Sequence, residues 1–171
     1  MANISDLTYK IVALSEVPEF NTDECVDWAF EMVNIGYESP TLLMLAGFSK
    51  PTNYFQTIGY LEECMKELEL EAKTGDQAII SYSSYFIRKL AKSENVKENL
   101  TALYKFCQAK NYEKKIFDFY LLYWAWDDLD NGINPQHYWP EANPENIVQI
   151  VFTTALKWLS QYESDLKLQL P

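Results

Sequence analysis

NPENIVQIVFTTALKWLSQY, residues 143–162, carries the period of a helix from one end to the other. Asn143 supplies a cap, and Pro144 stands at the first helical position, where a missing N–H costs little. Glu145 lies near the positive end of the helix dipole. Ile147, Ile150, Val151, Thr154, Trp158 and Tyr162 then fall on one inner face.

The same spacing recurs upstream. Cys25, Trp28, Ala29, Met32 and Val33 form a stripe between Thr22 as a cap and Gly36 as a stop. In SPTLLMLAG, 39–47, Ser39 is the N-cap, Pro40 the first helical residue and Gly47 the residue past the end of a short buried helix. Tyr54, Ile58, Leu61, Met65 and Leu68 outline a longer helix, with Glu62 and Lys66 paired on its wet face. Ile79, Tyr82, Phe86 and Leu90 mark the next, after the break at 74–76. Val96, Leu100, Leu103, Tyr104 and Cys107 mark one beginning near Ser93. A segment from about 112 to 129 is apolar on nearly every side and is predicted to be the central helix. Only 130–142 reads as a long loop. The expectation is an all-α chain, one helical domain over 1–171, built as a bundle of about six or seven helices or as a short solenoid of stacked helix pairs.

Composition agrees and narrows the function. The 171 residues are 48% hydrophobic with five glycines and seven prolines, too apolar for disorder and too poor in turn residues for a many-stranded sandwich. A net charge of −11 disfavours nucleic acid and anionic membrane surfaces, which are bound largely through Lys and Arg. The charge is uneven: residues 1–87 hold 4 bases and 14 acids, 88–115 hold 8 and 3, and 116–171 hold 2 and 8. The basic island has Tyr85, Tyr104 and Tyr112 near or within it, but Glu94, Glu98 and Glu113 dilute it. Cys25, Cys64 and Cys107 are far apart on apolar helical stripes and read as reduced core residues. The start lacks the features of a secretory signal, and the longest apolar run, FYLLYWAW at 119–126, is too short to cross a bilayer. A soluble cytoplasmic protein is expected.

Familiar chemistries are absent from the motifs. No two glycines lie closer than eleven residues, which removes phosphate-cradling loops and nucleophile elbows, and a lone histidine removes His-based zinc sites. An EF-hand anchored on Gly132 would place Leu129 and Tyr138 where oxygen ligands are needed. What remains is the stretch YWAWDDLDNGINPQHYWPE, 123–141. Asp127, Asp128 and Asp130 crowd the negative end of a helix, so either a base from the island neutralises them or they await an external cation. DDLDN resembles the aspartate-rich motif of terpene synthases, with Asn131 where that motif has its last carboxylate. Tyr120, Tyr123, Trp124 and Trp126 read as core by their spacing, Trp126 also adjoining the acidic end. Tyr138 and Trp139, beside His137 in a Pro-flanked loop, have the composition of an interaction hot spot.

AFEMVNIGYESPTLLMLAGF, residues 29–48, resembles a pattern of small acidic all-helical bacterial proteins: an amphipathic helix, Gly, a few residues, Ser, then LxxLAG. Some of these look like immunity proteins of bacterial toxin systems. Acidity for steering and the loop aromatics as anchors together imply a non-enzymatic protein that binds a basic protein partner, such as a toxin neutralised by an immunity protein, and no cofactor is expected. Its candidate contacts are Asp23, Asp27 and Glu31 on one helix, with Trp126, Asp127, Asp128, Asp130, His137, Tyr138 and Trp139. The competing expectation is a metal-dependent enzyme or ligand-binding module using the aspartates at 127–130. A homodimer, with the basic island meeting acidic stripes, is a further expectation.

Overall fold

The helical periodicity is realised throughout. A computed structural model describes residues 4–17 and 20–168, and among them lie eight α-helices and no strand. They are α1 (Thr8–Ile11), α2 (Asp23–Asn34), α3 (Pro40–Ala46), α4 (Tyr54–Glu67), α5 (Gly75–Leu90), α6 (Val96–Ala109), α7 (Phe117–Asp130) and α8 (Ile147–Gln161), with 3-10 turns at Leu14–Glu16 and Lys114–Ile116. No helix among the described residues is long and apolar enough to cross a membrane. The helices gather into two compact units, a first extending to Tyr82 and including Lys167 and Leu168, and a second over Ser83–Leu166.

In the first unit α2 packs on α1 and α3, and α3 packs on α4. Ile11, Trp28, Met32, Leu42, Leu45 and Leu61 are fully buried. The Trp28 indole N–H donates to the Thr8 hydroxyl at 2.9 Å, so its one polar atom is satisfied inside the core. The ends of α2 follow the sequence only in part. Gly36, at φ +102°, closes the helix as expected: its N–H reaches the Val33 carbonyl at 3.0 Å and the Tyr37 N–H reaches Met32 at 3.0 Å, two bonds that satisfy terminal carbonyls. Thr22 does not cap with its side chain, because its hydroxyl is 2.7 Å from that of Thr52; Asn21 accepts from the Asp23 N–H instead. Ser39 caps α3 as expected, accepting from Leu42 at 3.2 Å. On α4 the inner face is Thr57, Leu61, Cys64 and Met65, while Tyr54 is exposed; Lys66 pairs with Glu63 at 3.1 Å rather than with Glu62.

In the second unit α7 packs on α6 and α8. Leu100, Leu103, Ile116, Phe119, Leu122, Val151 and Ala155 form its core, and the Trp158 indole donates to the Lys115 carbonyl at 2.7 Å. Asn143 and Asn146 cap the entry to α8 reciprocally: the Asn143 side chain accepts from the Asn146 N–H at 3.2 Å and the Asn146 side chain accepts from the Asn143 N–H at 2.8 Å. Regular helix starts at Ile147, and Ile147, Val151, Ala155 and Trp158 are its buried residues.

The segment predicted as the central helix packs on both α6 and α8, but it is not buried on nearly every side. On α7 only Phe119, Leu122 and Ala125 are buried, whereas α5 buries Ala78, Ile80, Ser81, Ser83, Ser84, Ile87 and Leu90. The phenols and indoles of α7 are too large and too polar at their tips to be surrounded completely. All three cysteines are free and buried, and desolvation pushes the thiols of Cys25 and Cys64 up to about 12 and that of Cys107 to about 11. They are core residues, held protonated.

Candidate interaction surface

Tyr120, Tyr123, Trp124 and Trp126, expected in the core, are only half-buried. On α7 the residues Phe117, Tyr120 and Tyr123 or Trp124 recur at three- and four-residue steps and so line one flank of the helix. Tyr104, from α6, inserts among them. Its ring stacks on Tyr123 with centroids 4.1 Å apart and on Tyr120 at 5.4 Å, and meets Trp124 edge-on at 5.5 Å. Phe117 stacks on Tyr120 at 5.2 Å, and Tyr112 meets Tyr120 at a right angle at 5.5 Å. At the other end Tyr138 stacks on Trp124 at 5.9 Å. Seven rings thus connect Tyr112, 52% exposed, to Tyr138, 42% exposed. Partial burial, then Asp127 and Tyr104, raise the Tyr123 pKa above that of an ordinary phenol, so its hydroxyl remains a donor.

Tyr138 is held in place by a residue that the sequence reading passed over. Gln136 is 2% exposed, and its carbonyl oxygen accepts from the N–H groups of Tyr138 at 2.8 Å and Trp139 at 2.9 Å. Its amide donates to the carbonyls of Trp139 and, at 3.1 Å, Ala142. One buried side chain therefore replaces a secondary-structure ladder for 136–142. The loop exposes Ile133, His137 and Tyr138, while Trp139 is half-buried. Trp126 lines a shallow depression with Lys97, Leu100, Tyr123 and Asp127.

The three aspartates at the end of α7 have different surroundings. Asp130 forms an ion pair with Lys97, a member of the basic island, and this bond is the main reason the Lys97 pKa is raised, with Asp127 and Tyr123 adding to it. Asp127 accepts weakly from the Asn131 side chain at 3.4 Å. The Asp128 carboxylate is half-buried and has no hydrogen-bond or ion-pair partner among the described residues. No three His, Cys, Asp or Glu side chains gather to hold a metal ion among the described residues.

The acidic stripe of α2 is engaged internally. Asp23 accepts from both the N–H and the hydroxyl of Thr52 at 2.8 Å, and these bonds, helped by Lys50, lower its pKa. Asp27 pairs with Lys50, and Glu31 accepts from the Ser5 hydroxyl at 2.5 Å. Phe30, 58% exposed, sits on the same outer face as Asp23 and Asp27. The structure thus places Trp126, Asp127, Asp128, Asp130, His137, Tyr138 and Trp139 in the second unit with Tyr104, Tyr112 and Tyr120, and Asp23, Asp27 and Glu31 in the first. Tyr104 and Tyr112 were legible only as tyrosines scattered among lysines, and nothing in the spacing of Gln136 announced its role.

No protein-family model matches the chain, and neither a curated protein nor a solved structure matches it.

Proposed function

We propose that this chain is a non-enzymatic binding protein that engages a basic protein partner through the aromatic run from Tyr112 to Tyr138 and the loop around Gln136. The observation that carries this reading is the run itself: seven connected rings, half-buried along their length and exposed at both ends. Tyrosine and tryptophan side chains give large contact area for little lost rotamer freedom, and such residues dominate interface energetics. Packing of the rings on one another, and the four hydrogen bonds of Gln136, fix the surface before a partner arrives, which lowers the entropic cost of binding.

Net charge supplies the preference for a basic partner. At −11 the chain attracts cationic surfaces at long range and repels its own copies. Self-association through acidic stripes is weakened as a reading by the internal engagement of Asp23, Asp27 and Glu31. A basic toxin, neutralised by having its surface covered, is one partner of suitable chemistry. Three buried thiols without a disulfide among the described residues fit a reducing compartment such as the cytoplasm.

The test is affinity capture by the tagged chain from lysate of its host, at low and moderate salt, with Tyr104→Ala/Tyr138→Ala in parallel. The expected outcome is a stoichiometric basic protein, released as salt rises and bound at least about tenfold more weakly by the double variant. Capture that is indifferent to the double variant would remove the aromatic run from the account, and salt-independent capture would remove the steering.

A further inference from the structure

The aromatic run ends beside an unusual carboxylate. Asp128 lies one helical turn beyond Trp124, which places the two side chains on the same face of α7. Tyr138 lies across Trp124 with its ring inclined by 26° and remains 42% exposed. Lys97 serves Asp130 and interacts with Asp127, which leaves Asp128 as the carboxylate of this group without an internal partner among the described residues. It is half-buried and two residues from the end of the helix, where the dipole is negative. A carboxylate in that position gains from a cation brought to it.

The surroundings select among cations. A small metal ion requires several convergent ligands, and no such grouping is present among the described residues. An ammonium is compact, strongly hydrated and indifferent to flat surfaces. A guanidinium is planar, sheds water more readily, stacks on aromatic faces and binds one carboxylate through two parallel N–H donors. A ring pair beside one free carboxylate matches that shape.

We propose that the end of α7 and the loop folded over it form a receptor for an arginine side chain of the partner, which rests against Tyr138 and Trp124 and bonds to Asp128. This inference rests on the binding role proposed above and names the chemistry of its principal contact.

The test titrates the full chain with nona-arginine and with nona-lysine peptides at about physiological salt, followed by tryptophan fluorescence. Nona-arginine binds about tenfold more tightly than nona-lysine. Asp128→Asn and Tyr138→Leu each bring that ratio towards one. The paired change Glu62→Gln/Glu69→Gln, at exposed acids of the first unit, weakens both peptides alike and leaves the ratio intact. Circular dichroism checks that each variant is folded; Tyr138 is exposed and Asp128→Asn is isosteric. Equal affinities for the two peptides, binding of neither, or a ratio that survives both substitutions in the second unit would overturn the receptor. Salt-sensitive binding without arginine preference overturns it while leaving the broader role standing. Failure of lysate capture overturns the broader role and leaves the peptide ratio measurable.

Discussion

The two units use their polar and aromatic residues in opposite ways. The first holds 14 acidic and 5 basic residues, the second 11 and 9. Acidity alone would therefore mark the first unit as the contact surface. Five of its carboxylates instead fasten segments of that unit together: Asp23 to Thr52, Asp27 to Lys50, Glu31 to Ser5, Glu67 to Thr41 at 2.6 Å, and Glu24 to Lys10 at 2.5 Å. In the second unit the aromatic rings hold one another and still face solvent. Net charge sets long-range attraction, but a charged residue's value as a contact depends on whether its partner is already inside the chain, which a count of charges does not contain.

The largest effect that would break this contrast lies at Lys10. Its side chain is 8% exposed and its ammonium faces Glu24 and, at 5.8 Å, the Tyr82 ring. Lys10→Ala leaves Glu24 without that partner in a site only partly open to water, and is expected to cost about 2–4 kcal/mol in chemical denaturation. A loss below about 0.5 kcal/mol would mean that the fastening role is overstated.

Next in size is Gln136→Ala, which strips four hydrogen bonds from a buried position and is expected to destabilise by about 1–3 kcal/mol. Amide exchange at Tyr138 and Trp139 should quicken more than exchange in α8, since the loop loses its internal template. Uniform quickening across the second unit would instead make Gln136 a general core residue.

Acid sharpens the contrast from the other side. Asp23 and Glu67 have pKa values below the ordinary 3.8 and 4.5, Asp23 chiefly because of hydrogen bonds from Thr52 and Glu67 because of those from Ser39 and Thr41. A depressed folded-state value means their contribution is present above those ordinary values and is lost as pH falls through the folded values. Stability should therefore decline from about pH 4.5 downward, and Asp23→Asn should flatten part of that slope. A slope unchanged by this substitution would assign the acid sensitivity to other carboxylates.

The smallest effect on stability is expected where the effect on binding is greatest. Tyr138→Ala removes an exposed ring and should change stability by less than about 0.5 kcal/mol while weakening partner capture. A large loss of stability would make Tyr138 a structural residue and remove it from the contact surface.

Helix existence was legible because periodicity depends on local spacing: Cys25 to Met32, Leu100 to Cys107 and Ile147 to Trp158 each place an apolar face by themselves. Rank within the core was not legible. FYLLYWAW reads as more apolar than ISYSSYFI, yet Ser81, Ser83 and Ser84 are fully buried while Tyr120, Tyr123 and Trp124 are not. Enclosure depends on side-chain size and on what neighbours bring, which the segment does not carry. At the site, Asp127, Asp128, Tyr138 and Trp126 could be named from one continuous stretch. Tyr104 and Tyr112 could not be joined to them, because the packing of α6 on α7 brings Tyr104 among the rings, and Gln136 acts through bonds specified only by the turn of its loop.

The most direct test of the aromatic surface is hydroxyl-radical footprinting of the free chain and of the chain bound to its captured partner. The account predicts that Tyr112, Trp124 and Tyr138 are oxidised in the free chain and protected in the complex, while Phe30, exposed on the acidic stripe of the first unit, is oxidised equally in both. Protection of Phe30 with Tyr112 and Tyr138 unchanged would place the contact on the first unit and contradict it.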